Sequence, residues 1–517
     1  MKTNIPTRSP IRKRAAGLVA ALAASALLFA GCTGSGGPGG GAASGASGGG
    51  DSLTFVPNYN AQGLDISKYP LEIGVNIVVS QVLEPLVRFD GKTTVPVLAE
   101  SWNWTDPTTL VFKLRQGVTF SDGQPLTAKD VVGSLDRYIA AKQALATSLA
   151  MMASYEATDD STVTIKTKAP TGTLVGILSM IYIGEGSHST DDAWWVKPIG
   201  TGPFVFQDFV VNDHVTMVRN DKYWGEKAKL KTLTIKQIPD VNSKITALAN
   251  GEAQVIQDVP HDQIAQVKGM DNIAFTQADS LNYWFLWFNN AHKPLDDVRV
   301  RKAMVEALDL PTIISSLYGD TVKAMDSFCP SSAFGCLPAA LPKYNPDDAK
   351  KLLADAGHAD GFTIDIIFNT ANAGVDNLVQ TMISQWKAIG VTVKPRALDS
   401  TTWLADFNGL NWDMDTQPNQ TITGDADYTL NRLYSCAAKR LGYCNPDQDK
   451  LMTQAQQSTD QAERQRLYQQ VADMMAKELP AIPLFQLNVN VAATSKVQGL
   501  SIPPTEFIDF SKVSLAA

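Results

Sequence analysis

The sequence predicts an α/β protein of two lobes held on an exported, flexible N-terminal leash. Three observations predict it. A chain of 517 residues exceeds what one hydrophobic core serves, because single cores stop growing at roughly 250 to 300 residues. Short alternating runs of Val, Ile, Leu and Phe are separated by segments of helical period, which is the βαβ signature of a partly parallel sheet. The first fifty residues follow another pattern, basic, then apolar, then Gly-, Ser- and Ala-rich. The hydrophobic share of 44% and charged share of 19% belong to a globular body.

Lys2, Arg8, Arg12, Lys13 and Arg14 precede an apolar run at 15–30 that is too short to span a bilayer comfortably, so 1–31 reads as a secretion signal. Phe29, Ala30, Gly31 and Cys32 resemble the bacterial lipobox, with Phe where Leu is commoner; an uncleaved anchor with a buried cysteine is the alternative. The resemblance implies lipidation of Cys32 and anchoring on the extracytoplasmic face of the cell membrane. Residues 32–50 then form a flexible linker. Its Gly34, Gly36, Gly39 and Gly45, Ser47, Gly49 spacings mimic nucleotide and nucleophile motifs by chance, having no strand before or helix after. The net charge of −8, more negative still without the basic leader, argues against binding nucleic acid.

Along the body, 53–56 reads as a strand, Asn58, Tyr59 and Asn60 as a polar loop, and 75–82 as a helix. In the segment 99–137, Leu110, Phe112 and Leu114 alternate as a strand, Gly117 and Asp122 to Gly123 turn the chain, and Thr127 with Asp130 caps a helix bearing Val131, Leu135 and Ile139. The order is strand, turn, strand, turn, helix. Val163 and Ile165 suggest another strand. Gly200, Thr201, Gly202 and Pro203 force a tight turn into a hairpin, 204–209 and 215–218, with Asn212, Asp213 and His214 between. A βαβ unit follows at 233–259. The run NYWFLWFN at 282–289 is too apolar for an exposed strand. Asp296 and Asp297 start a helix with Val300, Met304 and Leu308 inward, and Arg299, Arg301 and Lys302 are expected on its solvent side. Asn345 caps a helix beginning at Pro346. A second βαβ unit spans 362–393, and helices at 447–457 and 460–478 precede strands at 482–485 and 489–492.

Cys329 with Cys336 and Cys436 with Cys444 form two close pairs. Outside the cytoplasm these read as disulfides, each adding roughly 2 to 3 kcal/mol. Free thiols or a split metal site are the alternatives, and no C-x-x-C or histidine pair supports a metal.

The blocks AESWNWTDPTTLVFKLRQGVTFSDGQPLTAKDVVGSLDR, IGTGPFVFQDFVVNDHVTMVRNDKYWG, NNAHKPLDDVRVRKAMVEALD, YNPDDAKKLLADAGHADGF and ELPAIPLF resemble the solute-binding proteins of ABC importers in the peptide, nickel and opine class, bacterial extracellular family 5. The resemblance implies a periplasmic-binding-protein-like fold of the large type II form, with two strands crossing between lobes that close on a ligand. It places 51–281 and 490–517 in lobe I, with a subdomain inserted at about 88–192, and 282–489 in lobe II. It implies a monomer without a cofactor or metal that delivers a peptide to permease subunits. An oligosaccharide, an opine, a nickel complex or a sensory ligand is the alternative.

Cleft candidates are Tyr59, Asn60, Tyr283, Trp284, Trp403 and the segment 417–428 with Gln417, Asn419, Asp425 and Asp427, aromatic walls with a few placed polar groups. Peptide-binding relatives meet the ligand's amine with an aspartate in this late segment. Here Thr421, Ile422 and Thr423 stand where that acid is first expected. If Asp425 or Asp427 serves instead, the ligand is a peptide or another cation; if neither does, a neutral solute is favoured. No catalytic constellation is expected: His188, His214, His261, His292 and His358 are scattered, with no H-E-x-x-H spacing.

Overall fold

Apolar alternation builds one large mixed sheet in the computed structural model, which describes residues 51–516 apart from Lys92 and Ala373. The expected signal, Cys32 and linker lie outside the described residues. Among those described, the strand order is Phe204–Val210, His214–Arg219, Thr232–Lys236, Ser52–Val56, Val255–Gln257, Ala481–Thr494, Ile273–Phe288, Met414–Gln420, Phe362–Asn369 and Val391–Leu398. Val322–Ala324 adds onto Ala481–Thr494. Ser52–Val56 runs parallel to both Thr232–Lys236 and Val255–Gln257. The first βαβ unit, through helix Val241–Ala249, therefore spans a strand from the chain's start. Phe362–Asn369 and Val391–Leu398 pair in parallel, joined by helix Val375–Ala388. A separate four-stranded antiparallel sheet, Ala99–Asp106, Thr109–Leu114, Thr162–Thr167 and Met152–Asp159, packs against helix Ala128–Ala140.

Helix starts follow their capping chemistry. The Thr127 backbone N–H and hydroxyl donate to Asp130 Oδ2 at 2.7 and 2.9 Å. Asn345 Oδ1 accepts from the Asp348 N–H, with Pro346 opening the helix Pro346–Asp355. Two expectations are corrected. The second strand expected between Gly117 and Asp122 shrinks to a single bridge, Thr119 to Pro125. Arg301, expected in solvent, is only 4% exposed. Its guanidinium donates to the carbonyls of Leu295 at 2.8 Å and Leu479 at 3.1 Å, and to that of Glu478. It satisfies orphan carbonyls at the end of helix Gln461–Glu478, a task no apolar side chain performs.

Two long strands, Ile273–Phe288 and Ala481–Thr494, cross the middle of the sheet side by side and antiparallel. The expected strands 482–485 and 489–492 are one, because the intervening Gln486 and Leu487 stay extended and pair with Val322–Ala324. The aromatic run is apolar because both faces of its strand are covered. Tyr283, Phe285 and Trp287 enter one core with Phe407, Tyr434 and Tyr468; Trp284, Leu286 and Phe288 enter another with Met304, Val379 and Trp386. The register of the crossing pair shifts between Asp279 and Tyr283. Side chains take over there: Ser280 Oγ donates to the Leu487 carbonyl at 2.8 Å, and Gln486 Nε2 to the Ser280 carbonyl at 2.7 Å. Asn282 Nδ2 donates to Glu506, a residue of the C-terminal tail that also accepts from Gln257 Nε2 at 2.7 Å.

The Gly-Thr-Gly-Pro hairpin is built by close approach. A β-carbon on Gly200 would stand 1.8 Å from the Val82 carbonyl oxygen, and on Gly202 2.7 Å from it. Thr201 Oγ1 donates to Glu84 Oε2 at 2.9 Å, Trp224 Nε1 to the same oxygen at 2.8 Å, and Tyr223 OH to Oε1 at 2.8 Å. The two ends of this block thus close on one buried carboxyl, 2% exposed. Burial pushes its pKa up while the three donors oppose the shift.

Candidate functional site

A cavity of about 490 Å³ opens between two groups of helices. One wall is Ala144, Thr147, Ser148 and Met151, on and after helix Ala144–Leu149, with Thr173 and Ile177 from helix Leu174–Leu178 and its cap. The other is Tyr428, Asn431 and Arg432 of helix Ala426–Tyr434, with Asp425, Asp427, Arg440 and Gln456. Beside it the backbones nearly touch. The Gly172 N–H donates to the Gln456 carbonyl at 2.6 Å, and a β-carbon on Gly172 would sit 2.0 Å from the Ser458 carbonyl oxygen. Gly424, at φ +67°, lies under the Phe89 ring, 2.6 Å from the position of its missing β-carbon.

The two acids expected in the site are already engaged. Asp425 caps its helix by accepting from the Asp427 N–H at 3.0 Å, and the same oxygen holds buried Arg464 at 2.8 Å. Asp427, 8% exposed, accepts from Asn431 Nδ2 at 2.6 Å and from Gln456 Nε2 at 3.5 Å. Burial, helped by the charge of Asp425, pushes its pKa up to about 7.

The remaining candidates fall in four places. Tyr283 is buried; its hydroxyl accepts from Asn419 Nδ2 at 3.0 Å, and Asn419 Oδ1 accepts from Arg432 at 2.6 Å, so both sit behind that arginine. Trp403 and Gln417 donate to the buried Asp415 carboxyl at 2.8 and 2.6 Å, and Trp403 stacks on Phe407 at 5.2 Å. Trp284 packs on Phe485 in the opposite core, away from Tyr283, as neighbours on a strand must. Tyr59 and Asn60 line a different, smaller hollow with Phe209 and His214 at the hairpin tip. The structure thus brings together Asp425 and Asp427 at the cavity, with Asn419 and Tyr283 behind it, and leaves the other five elsewhere.

Sequence reasoning missed the two arginines. Arg432 lies over the Tyr428 ring at 4.8 Å and Arg440 over the Phe407 ring at 5.8 Å. The available signal was the spacing of Tyr428 and Arg432, one helical turn apart, and the position of Arg440 inside the Cys436–Cys444 loop. Both cysteine pairs stand at disulfide distance, with Cα–Cα 5.4 Å for Cys329–Cys336 and 4.3 Å for Cys436–Cys444. Among the described residues no cluster of histidine, cysteine or carboxylate is placed to hold a metal ion.

Two α/β lobes joined by a crossing strand pair, with a solute-sized cavity, define the class of extracytoplasmic solute-capture proteins. The chain belongs to the bacterial extracellular solute-binding proteins of family 5, whose middle region matches residues 93–440. Such proteins serve ABC importers as substrate-binding components. The chain is 27% identical over 478 residues to the dipeptide-binding protein of Escherichia coli K12, covering 83% of this chain and 88% of that one. It is 27% identical over 439 residues to the glutathione-binding protein GsiB of the same strain, covering 81% and 86%. Among solved structures, HbpA2 from Haemophilus parasuis superposes with a TM-score of 0.81 at 26% identity, over 90% of this chain and all of that one. NikA from Brucella suis in complex with Fe(III)-EDTA gives 0.82 at 24% identity with the same coverage, a likeness of fold. Among the described residues no helix is long and apolar enough to cross a membrane.

Proposed function

We propose that the chain captures a short peptide in the 490 Å³ cavity and delivers it to an ABC importer while tethered to the membrane through lipidated Cys32. The cavity carries the reading: its volume lies within the roughly 300 to 1,000 Å³ of small-ligand sites. Its walls come from stretches assigned to different lobes, 51–281 with 490–517 and 282–489, the first carrying the inserted subdomain at about 88–192. Gly172 meets Gln456 and Phe89 meets Gly424 beside the cavity, contacts of the kind that would hold two lobes shut around a ligand whose binding energy drives a hinge. Relatives named for dipeptide and glutathione binding support a peptide. The protein acts as a monomer and needs no cofactor. A tether through Cys32 would keep the loaded protein near its permease and raise its effective concentration there.

Native mass spectrometry of the purified protein, followed by titration with di- to tetrapeptide mixtures, tests the proposal. A co-purified peptide, or micromolar binding of any mixture, is expected. A co-purified sugar or metal complex with no peptide binding overturns it.

A further inference from the structure

Taking that cavity as the solute site, we infer that its ligand is multiply anionic, read through its carboxylates by Arg432 and Arg440 and not through an ammonium group. Arg432 and Arg440 both face the cavity, and among the described residues neither has a carboxylate within ion-pair distance. Each guanidinium instead lies over an aromatic ring, Arg432 over Tyr428 and Arg440 over Phe407, a contact that is compatible with further hydrogen bonds to a ligand. Arg432 gives one NH2 to Asn419 Oδ1, while its buried Nε has no acceptor. A buried donor without a partner is costly, and a planar carboxylate presents the bidentate acceptor it lacks. Two cations sharing one cavity compound that cost. Burial, and then the charge of Arg432, push the Arg440 pKa below its ordinary value, the direction an added anion would reverse.

The acids of the same cavity are already engaged. Asp425 Oδ1 accepts from Arg464, and the two oxygens of Asp427 accept from Asn431 and Gln456. The cavity therefore presents two guanidinium groups without an ion-pair partner among the described residues, inside a protein whose net charge is −8. A field of that sign in a low-dielectric cleft selects anions and rejects cations.

The test measures binding to the purified protein by calorimetry. The probes are tripeptides with neutral side chains, the same peptides C-amidated, tripeptides rich in Asp and Glu, their N-acetylated forms, and citrate as a carboxylate source that is no peptide. The acidic tripeptides should bind tightest, N-acetylation should leave their affinity within about threefold, and amidation should weaken the neutral ones. Arg432→Gln and Arg440→Gln should each weaken the acidic probe by about ten- to a hundredfold. Arg440→Gln removes no hydrogen bond made within the described protein, so it separates ligand recognition from folding; far-ultraviolet dichroism checks both variants. Citrate binding that depends on both arginines, with no peptide binding, upholds the inference and ends the peptide reading. Peptide binding that is indifferent to carboxylates, or abolished by N-acetylation, ends the inference and leaves the peptide reading standing. Failure of every probe overturns both.

Discussion

Asp415 offers a stability prediction that can be worked through from its surroundings. It lies on Met414–Gln420 with no exposed area. Its carboxyl receives Trp403 Nε1 at 2.8 Å and Gln417 Nε2 at 2.6 Å, neutral donors both. Burial pushes its pKa from 3.8 to about 7, against the pull of those two donors. Because the folded-state value is the higher one, folding favours the protonated acid. Its contribution is complete below the unfolded value near 3.8 and is lost as pH rises through about 7. A shift of about three units at about 1.36 kcal/mol each sets the loss above pH 7 on the order of 4 kcal/mol. Asp415→Asn removes the titration. The amide oxygen still accepts from Trp403, and Gln417 can turn its own oxygen toward the new NH2. Urea denaturation should find the variant on the order of 2 to 4 kcal/mol more stable than the parent at pH 8.5, and within about 1 kcal/mol of it at pH 4.5. A variant that is less stable at pH 8.5 would refute the reasoning, since the carboxylate would then be ionised and held by its donors.

Three further outcomes follow from contacts already described. Gly172→Ala places a β-carbon 2.0 Å from the Ser458 carbonyl oxygen, so closure should be hindered. Ligand affinity should fall at least about tenfold while the unliganded melting temperature moves by no more than about 3 °C, as calorimetry would show. Replacing Cys436 and Cys444 together with serine should cost roughly 2 to 3 kcal/mol in denaturant titration and also weaken ligand binding, because the opened loop carries Arg440. Arg301→Met leaves the carbonyls of Leu295, Glu478 and Leu479 without their donor and should lower stability by about 3 kcal/mol; an unchanged denaturation midpoint would show that water replaces it.

Much of the fold was legible because local chemistry and tertiary need agree. Asn345 before Pro346 states where its helix begins, and Thr127 with Asp130 does the same for another. The aromatic run at 282–289 announced a strand covered on both faces. What escaped notice there was alternation: Tyr283 and Trp284 are neighbours, so the two could never line one cleft. The site was harder. Asp425 looked available as an anchor because its partner, Arg464, comes 39 residues later on another helix. The role inferred for Arg432 and Arg440 rests on the lack of a paired carboxylate among the described residues, and a pattern in one dimension does not display that. Arg301 misled for a related reason: its helical face looked solvent-directed until another helix ended against it.

The interruption in the crossing strands has a consequence for how binding strength could be tuned. An unbroken ladder would resist twisting along its whole length. Here the resistance at one point is handed to Ser280, Asn282, Gln486 and Glu506, side chains whose hydrogen bonds can be exchanged one at a time. None of the four lines the 490 Å³ cavity. If the lobes turn at this point, replacing them is expected to shift the balance between open and shut while leaving the cavity walls as they are, so affinity could drift to match the supply of solute with selectivity unchanged.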